Sequence, residues 1–205
     1  VAYYDQIGGG ILAVHDLDFI NAANGIAVGT DNTLLRTSDA GLTWTRAANS
    51  SIPGSGHLYG VQYSDANICH VVGGNRILRS VNGGANWLGQ TFTGMDLRAV
   101  HFPTADVGYA VGQHEAILKT IDTGQTWNQL PGIPGAGAND VFFTSATEGY
   151  ATAGTRIYHT TTGGSYWEWF ECGAQMNGVS FLDGLGYAVG VSGTLLRTTA
   201  SGLGY

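Results

Sequence analysis

The sequence predicts an all-β fold, a five-bladed β-propeller of four-stranded antiparallel blades. Three observations carry this. An eight-residue stretch ending in an aromatic residue returns five times, with final aromatics at Trp44, Trp87, Trp127, Trp167 and Tyr205, so the spacings are 43, 40, 40 and 38. A repeat of about 40 residues points to a propeller or a solenoid. Glycine supplies 33 of 205 residues and proline only 4, and no stretch of helical spacing survives the glycines. Between them lie short runs with period-two alternation and many β-branched or aromatic residues, which read as strands.

The elements follow in chain order. Tyr4-Asp5-Gln6-Ile7 resembles Trp127-Asn128-Gln129-Leu130, the strand after the third stretch, while the chain stops at Tyr205 without an outer strand after the fifth. The N-terminal strand is therefore expected to complete the last blade and close the ring, which removes exposed strand edges. Residues 1–205 read as a single propeller domain, with repeats at about 15–56, 57–95, 96–137, 138–175 and 176–205 plus 1–14. In the third repeat, strand A is expected at Leu97–Phe102, strand B at Gly108–Val111, strand C at Ala116–Thr120 and strand D at Thr126–Leu130. Long D-to-A connections, Asn49–Gly56 and Pro131–Gly137, share an Ile-Pro-Gly core.

The recurring stretch has a physical logic. It is Thr37-Ser38-Asp39-Ala40-Gly41-Leu42-Thr43-Trp44 in the first repeat and Thr120-Ile121-Asp122-Thr123-Gly124-Gln125-Thr126-Trp127 in the third. Asp or Asn in a tight turn bonds the backbone two residues on, and Gly supplies positive φ. The Trp packs the turn on its neighbour. Each copy reads as a structural hairpin turn.

The pattern Ser/Thr-x-Asp-x-Gly-x-x-Trp resembles the Asp-box, or BNR repeat. The longer units Gly25–Gly29 with Leu34–Thr37, Gly108–Gly112 with Ile117–Thr120, and Gly186–Gly190 with Leu195–Thr198 are similar to repeats of photosystem II assembly/stability factor-like propellers. The resemblance spans nearly the whole chain. It implies the fold, whereas propellers of this kind include sialidases, other glycosidases, sorting receptors and assembly factors.

Composition narrows the function. Net charge is −7, with 8 Lys and Arg and no basic run. Nucleic-acid binding needs basic charge to release counterions, so none is expected. No apolar run reaches membrane-spanning length, so no membrane insertion is expected. Charged residues make up only 11%, a lean surface that suggests an extracellular, cell-surface or virion protein. Cys69 and Cys172 fall in different blades and are expected to stay unpaired.

Site candidates come from the alignment of strands A. Two residues before the first apolar position stand His15, Tyr59, Arg98, Asn139 and Asn177, a polar ring where strands A enter the central channel. The B-to-C loops on that face add Asp31, Asn32, Asn75, Arg76, His114, Glu115 and Arg156. Donors, acceptors and aromatics together suit a sugar or a peptide loop. A second set, Arg36, Arg79, Lys119, His159 and Arg197, stands just before each box. This cationic row reads either as a partner surface or as stems covering apolar strand surface.

Enzyme readings fail on local motifs. The arginines sit at repeat-equivalent positions rather than at the irregular ones a single active site takes. Asp16, Asp18 and Asp140 offer carboxylates without a supporting motif for acid and base work. The histidines are scattered, and no cluster has metal-ligand spacing. No catalytic residue, metal or cofactor is expected. The expectation is a non-catalytic binding propeller, monomeric or one module of a larger assembly such as a phage tail. Its partner is a protein, as the assembly-factor resemblance implies, with a lectin-like glycan binder as the alternative and a glycosidase third. Decay of the boxes along the chain favours the protein scaffold, since a multivalent lectin would keep its pockets alike.

Overall fold

A computed structural model describes residues 13–47, 52, 54–133, 135 and 137–198. It is an all-β propeller of five antiparallel sheets in chain order. Blade 1 contains β1 (Val14–Phe19), β2 (Gly25–Gly29), β3 (Thr33–Thr37) and β4 (Thr45–Arg46). Blade 2 contains β5 (Gly60–Tyr63), β6 (Cys69–Gly73), β7 (Arg76–Ser80) and β8 (Leu88–Thr91). Blade 3 contains β9 (Asp96–His101), β10 (Gly108–Gln113), β11 (Ile117–Thr120) and β12 (Asn128–Gln129). Blade 4 contains β13 (Ala138–Phe143), β14 (Gly149–Ala153), β15 (Arg156–Thr160) and β16 (Glu168–Glu171). The described part of blade 5 contains β17 (Met176–Leu182), β18 (Leu185–Gly190) and β19 (Leu195–Arg197). The fifth box beyond Thr198 and the N-terminal strand expected to close the ring lie outside the described residues.

The boxes fold by the logic of their sequence. The Thr37 hydroxyl donates to the Asp39 carboxylate at 2.7 Å and accepts the Gly41 N–H at 2.9 Å. Asp39 in turn accepts the N–H and the hydroxyl of Thr43. Thr120, Asp122 and Thr126 repeat this set, and Asn82 with Ser80 keeps most of it. In the fourth box Thr162 replaces the acid and accepts the Tyr166 N–H with its hydroxyl. Strand D of blade 3 is shorter than expected, because only Leu118↔Gln129 and Lys119↔Asn128 pair across it.

The core lies between blades and is built by a repeated three-layer stack. The second residue of strand B faces the next blade and lies on the aromatic at or just after the end of that blade's strand A. Tyr109 stacks on Phe143 with centroids 3.5 Å apart, His70 on Phe102 at 4.1 Å and Tyr150 on Phe181 at 4.3 Å. The box Trp closes the stack edge-on, as Trp127 does on Phe102 and Trp167 on Phe143. Ile52 and Ile133 of the two long D-to-A connections are buried in these inter-blade cores. Both cysteines are free, Cys69 buried and Cys172 half-buried.

Candidate functional site

Strands A carry the side chains that bridge blades. Each bridge donates a backbone N–H of one strand A to a side chain on the previous one. Asp16 accepts from Val61 at 2.8 Å and Asp18 from Tyr63 at 2.7 Å. Gln62 accepts from Phe102, His101 Nδ1 from Phe143, and Asp140 from Val179. Burial pushes the Asp140 carboxyl up to about 6 and raises that of Asp16. It holds the His101 imidazole down at about 4. The three carboxylates that suggested acid and base chemistry are thus engaged as acceptors between blades. Their repeat-wide pattern is visible only once the blades are assembled. Among the described residues no three His, Cys, Asp or Glu come together as a metal-binding group.

One step along the same strands, the expected ring divides. His15 lies flat against Tyr59, centroids 5.0 Å apart and planes 14° from parallel. The Arg98 guanidinium stands over the same Tyr59 ring at 4.0 Å and pairs with Asp96. His57 meets both His15 and Tyr59 edge-on. His15, Tyr59 and Arg98 therefore form one continuous stack across blades 1, 2 and 3. His15 Nδ1 contacts the Leu58 carbonyl oxygen at 2.8 Å, and Asn139 Nδ2 donates to the equivalent Met176 carbonyl at 2.8 Å. Asn139 is thus held to blade 5, and Asn177 is exposed.

The loop residues also part company. Arg76 is buried beneath residues 54–56 and donates to the Asn32 amide oxygen, so it supports this face from below rather than lining it. The backbone N–H of Asp31 donates to His57, which joins the first B-to-C loop to the stack. His114 and Glu115 are exposed, and Glu115 accepts the Gly135 N–H. Arg156 lies away from the stack: its guanidinium stands 3.9 Å over Trp169 and pairs with Glu171.

Three members of the cationic row, Arg36, Arg79 and Lys119, point sideways, toward the next blade's box. Arg79 donates from Nε to the Thr123 carbonyl at 2.7 Å and from its terminal nitrogen to the Thr123 hydroxyl. Arg36 lies alongside Gly84, and Lys119 lies beside Gly163 and over Tyr109. His159 stacks on Tyr150 and contacts Glu148. Arg197, at the same position in blade 5, is exposed. A separate cavity of about 360 Å³ opens at the far ends of strands A, lined by His101, Phe142, Phe143 and Phe181 among others.

Comparison with known proteins places this geometry among relatives. The family model described as photosynthesis system II assembly factor YCF48 matches residues 48–171. A curated relative, vacuolar protein sorting/targeting protein 10 of Mycosarcoma maydis, is 31% identical over 98 residues, covering 43% of this chain and 6% of its own length. The solved structure of YCF48 bound to D1 peptide superposes with a TM-score of 0.74 at 20% identity, over 91% of this chain and 63% of that one. YCF48 from Cyanidioschyzon merolae gives 0.72 at 16% identity, over 99% and 73%. At such identities the likeness to solved structures is one of fold. The chain spans a small part of the curated relative and less than two thirds of the D1-bound structure. The extracellular, cell-surface or virion location expected from the lean surface is corrected by these matches. An assembly factor of photosynthesis system II and a vacuolar sorting protein are both described by work within a cell.

Proposed function

From the premise that this chain belongs to the photosynthesis system II assembly factor YCF48 family, we propose that it is a non-catalytic propeller that binds a protein partner. The partner segment lies across the strand-A mouth of blades 1 to 3, on His15, His57, Tyr59 and Arg98. The observation that carries this reading is the His15–Tyr59–Arg98 stack, which holds an aromatic ring and a guanidinium in a fixed, half-open arrangement. Tyr and Arg dominate protein-binding hot spots because they offer large contact area with little entropy to lose. Arg98 is already oriented by Asp96, so binding does not have to order it.

A peptide fits this constellation better than a glycan. Avidity lectins repeat one pocket between successive blades. Among the described residues the stack occurs once, and blade 4 places Asn139 and blade 5 Asn177 at the matching positions. Arg36, Arg79 and Lys119 of the cationic row belong to the same reading as braces between blades.

The test uses the D1 peptide, to which the similar YCF48 structure is bound. Calorimetric titration into the full chain is expected to show binding that weakens tenfold or more, about 1.4 kcal/mol, on Tyr59→Ala or Arg98→Ala. Lys119→Ala is expected to bind as wild type does. Equal affinities for all four proteins, or no binding at all, would remove this site and this partner class together.

A further inference from the structure

The two imidazoles of the His15–Tyr59–Arg98 stack are wired in opposite senses. His15 Nδ1 lies 2.8 Å from the Leu58 carbonyl oxygen, which only accepts, so this nitrogen carries the proton. Nε2 is then the bare nitrogen of His15, and no described residue donates to it. His57 is the reverse. Its Nδ1 accepts the Asp31 N–H at 3.3 Å, so its proton sits on Nε2. A second proton on His57 has to displace that N–H. A second proton on His15 lands on a free nitrogen and strengthens the bond to Leu58, because a charged donor bonds a carbonyl more strongly than a neutral one. Of the two rings, His15 is the one placed to charge.

The charged groups around it nearly cancel. On blade 1, Asp16 beside it is turned to the Val61 N–H, and Asp31 meets His57 through its backbone while its carbonyl accepts from Arg46. Blade 2 brings His57 and Tyr59, with Arg76 buried beneath residues 54–56. Blade 3 brings Arg98, already paired with Asp96. The groups left free to bond a partner are donors: the rest of the Arg98 guanidinium, the His57 Nε2–H and the Tyr59 hydroxyl. Such a set takes an acidic group. A carboxylate laid across it meets one lone pair, that of His15 Nε2, and the two repel unless a proton comes between them.

We propose that His15 takes up a proton when an acidic segment of the protein partner binds, so that this site binds more tightly as pH falls from 8 to 6. The inference rests on the reading that the stack is the partner site, and it adds how that site is regulated. Imidazole is the side chain whose charge changes in this range. Uptake of one proton strengthens binding by at most about tenfold per pH unit.

Calorimetric titration of the D1 peptide into the full chain at pH 8 and pH 6 tests it. Wild type is expected to bind about tenfold more tightly at pH 6, with proton uptake visible as a binding heat that changes with the ionisation heat of the buffer. In His15→Gln the ratio of the two affinities is expected to fall to about one, whereas His57→Gln is expected to keep the wild-type ratio. Equal affinities at the two pH values in wild type overturn the proton uptake and leave the stack as the partner site. A pH dependence that survives in His15→Gln overturns it as well, since the proton then goes elsewhere or to the peptide. No binding at either pH overturns the partner site and the proton uptake together.

Discussion

His70 lies flat on Phe102 of the next blade, with centroids 4.1 Å apart and planes 17° from parallel. Its Nε2 lies 3.1 Å from the Thr123 carbonyl oxygen, so that nitrogen carries the proton and Nδ1 does not. Nδ1 is buried with no hydrogen-bond partner. A charged imidazole would bring a second proton into this apolar seam, and burial accordingly holds the group down at about 3.

Stability should therefore fall with acid. The unfolded chain takes up a proton at His70 near 6.5 while the folded chain refuses it until about 3. The contribution is complete above 6.5 and is lost progressively as pH drops toward 3, by up to about 1.4 kcal/mol per pH unit. His70→Phe keeps a flat ring and removes the titration. Urea midpoints at pH 7 and pH 5 should lie closer together in this variant than in wild type. An unchanged gap would mean that His70 is not the source.

Asp140 works with the opposite sign. Its carboxyl is raised to about 6 by burial, so the folded chain holds a proton there that the unfolded chain has released above 3.8. That contribution is full below 3.8 and is lost as pH rises through 6. Asp140→Asn keeps one acceptor for the two N–H groups of Val141 and Val179. It should cost about 1–3 kcal/mol at pH 5 through the unmet donor. The deficit should shrink at pH 8, where wild type must hold a buried charge. A deficit that grows from pH 5 to pH 8 contradicts the assignment.

Much of this fold is legible in the chain because each box is a local device. Thr37, Asp39, Gly41 and Thr43 satisfy one another within a few residues of sequence, so the motif announces its own structure. The strand-A bridges are different. Asp16 meets Val61 and Asp18 meets Tyr63 45 residues away, and the acceptor is Asp, Gln or His by turns. No single motif marks them; the only signal is a polar residue at alternate positions of an otherwise buried strand. The positions of the expected polar ring can be counted off along the strands, but how its side chains pair cannot. Tyr59 draws His15 and Arg98 against it, while Asn139 turns to a carbonyl. Arg76 misleads because an arginine at the start of a strand beside a turn ordinarily faces water, and here the chain of residues 54–56 folds over it.

Thr120 offers a test of the box itself. It is fully buried, and its hydroxyl accepts the N–H groups of Asp122 and Gly124 while donating to the Asp122 carboxylate. Thr120→Val preserves shape and leaves those donors unmet, at a cost of about 1–3 kcal/mol. Thr120→Ser keeps the oxygen and should recover most of the loss. If the two variants unfold at the same denaturant concentration, the hydroxyl contributes nothing beyond packing.

The two glycines at the tips of neighbouring boxes separate backbone strain from crowding. Gly83 has φ of +64° and open space where a Cβ would stand. Gly124 has φ of +74°, and a Cβ there runs into the His70 imidazole. Alanine at either position meets the left-handed penalty of about 1–2 kcal/mol. At Gly124 it must also displace a ring that is pinned between Phe102, Trp127 and the Thr123 carbonyl. Overpacking of that kind adds about 1–3 kcal/mol. Gly124→Ala should therefore be clearly less stable than Gly83→Ala by denaturant midpoint. Combining it with His70→Ala, which empties the space, should recover part of the difference. If the double variant loses the full sum of the two single losses, the collision is not what makes Gly124 necessary.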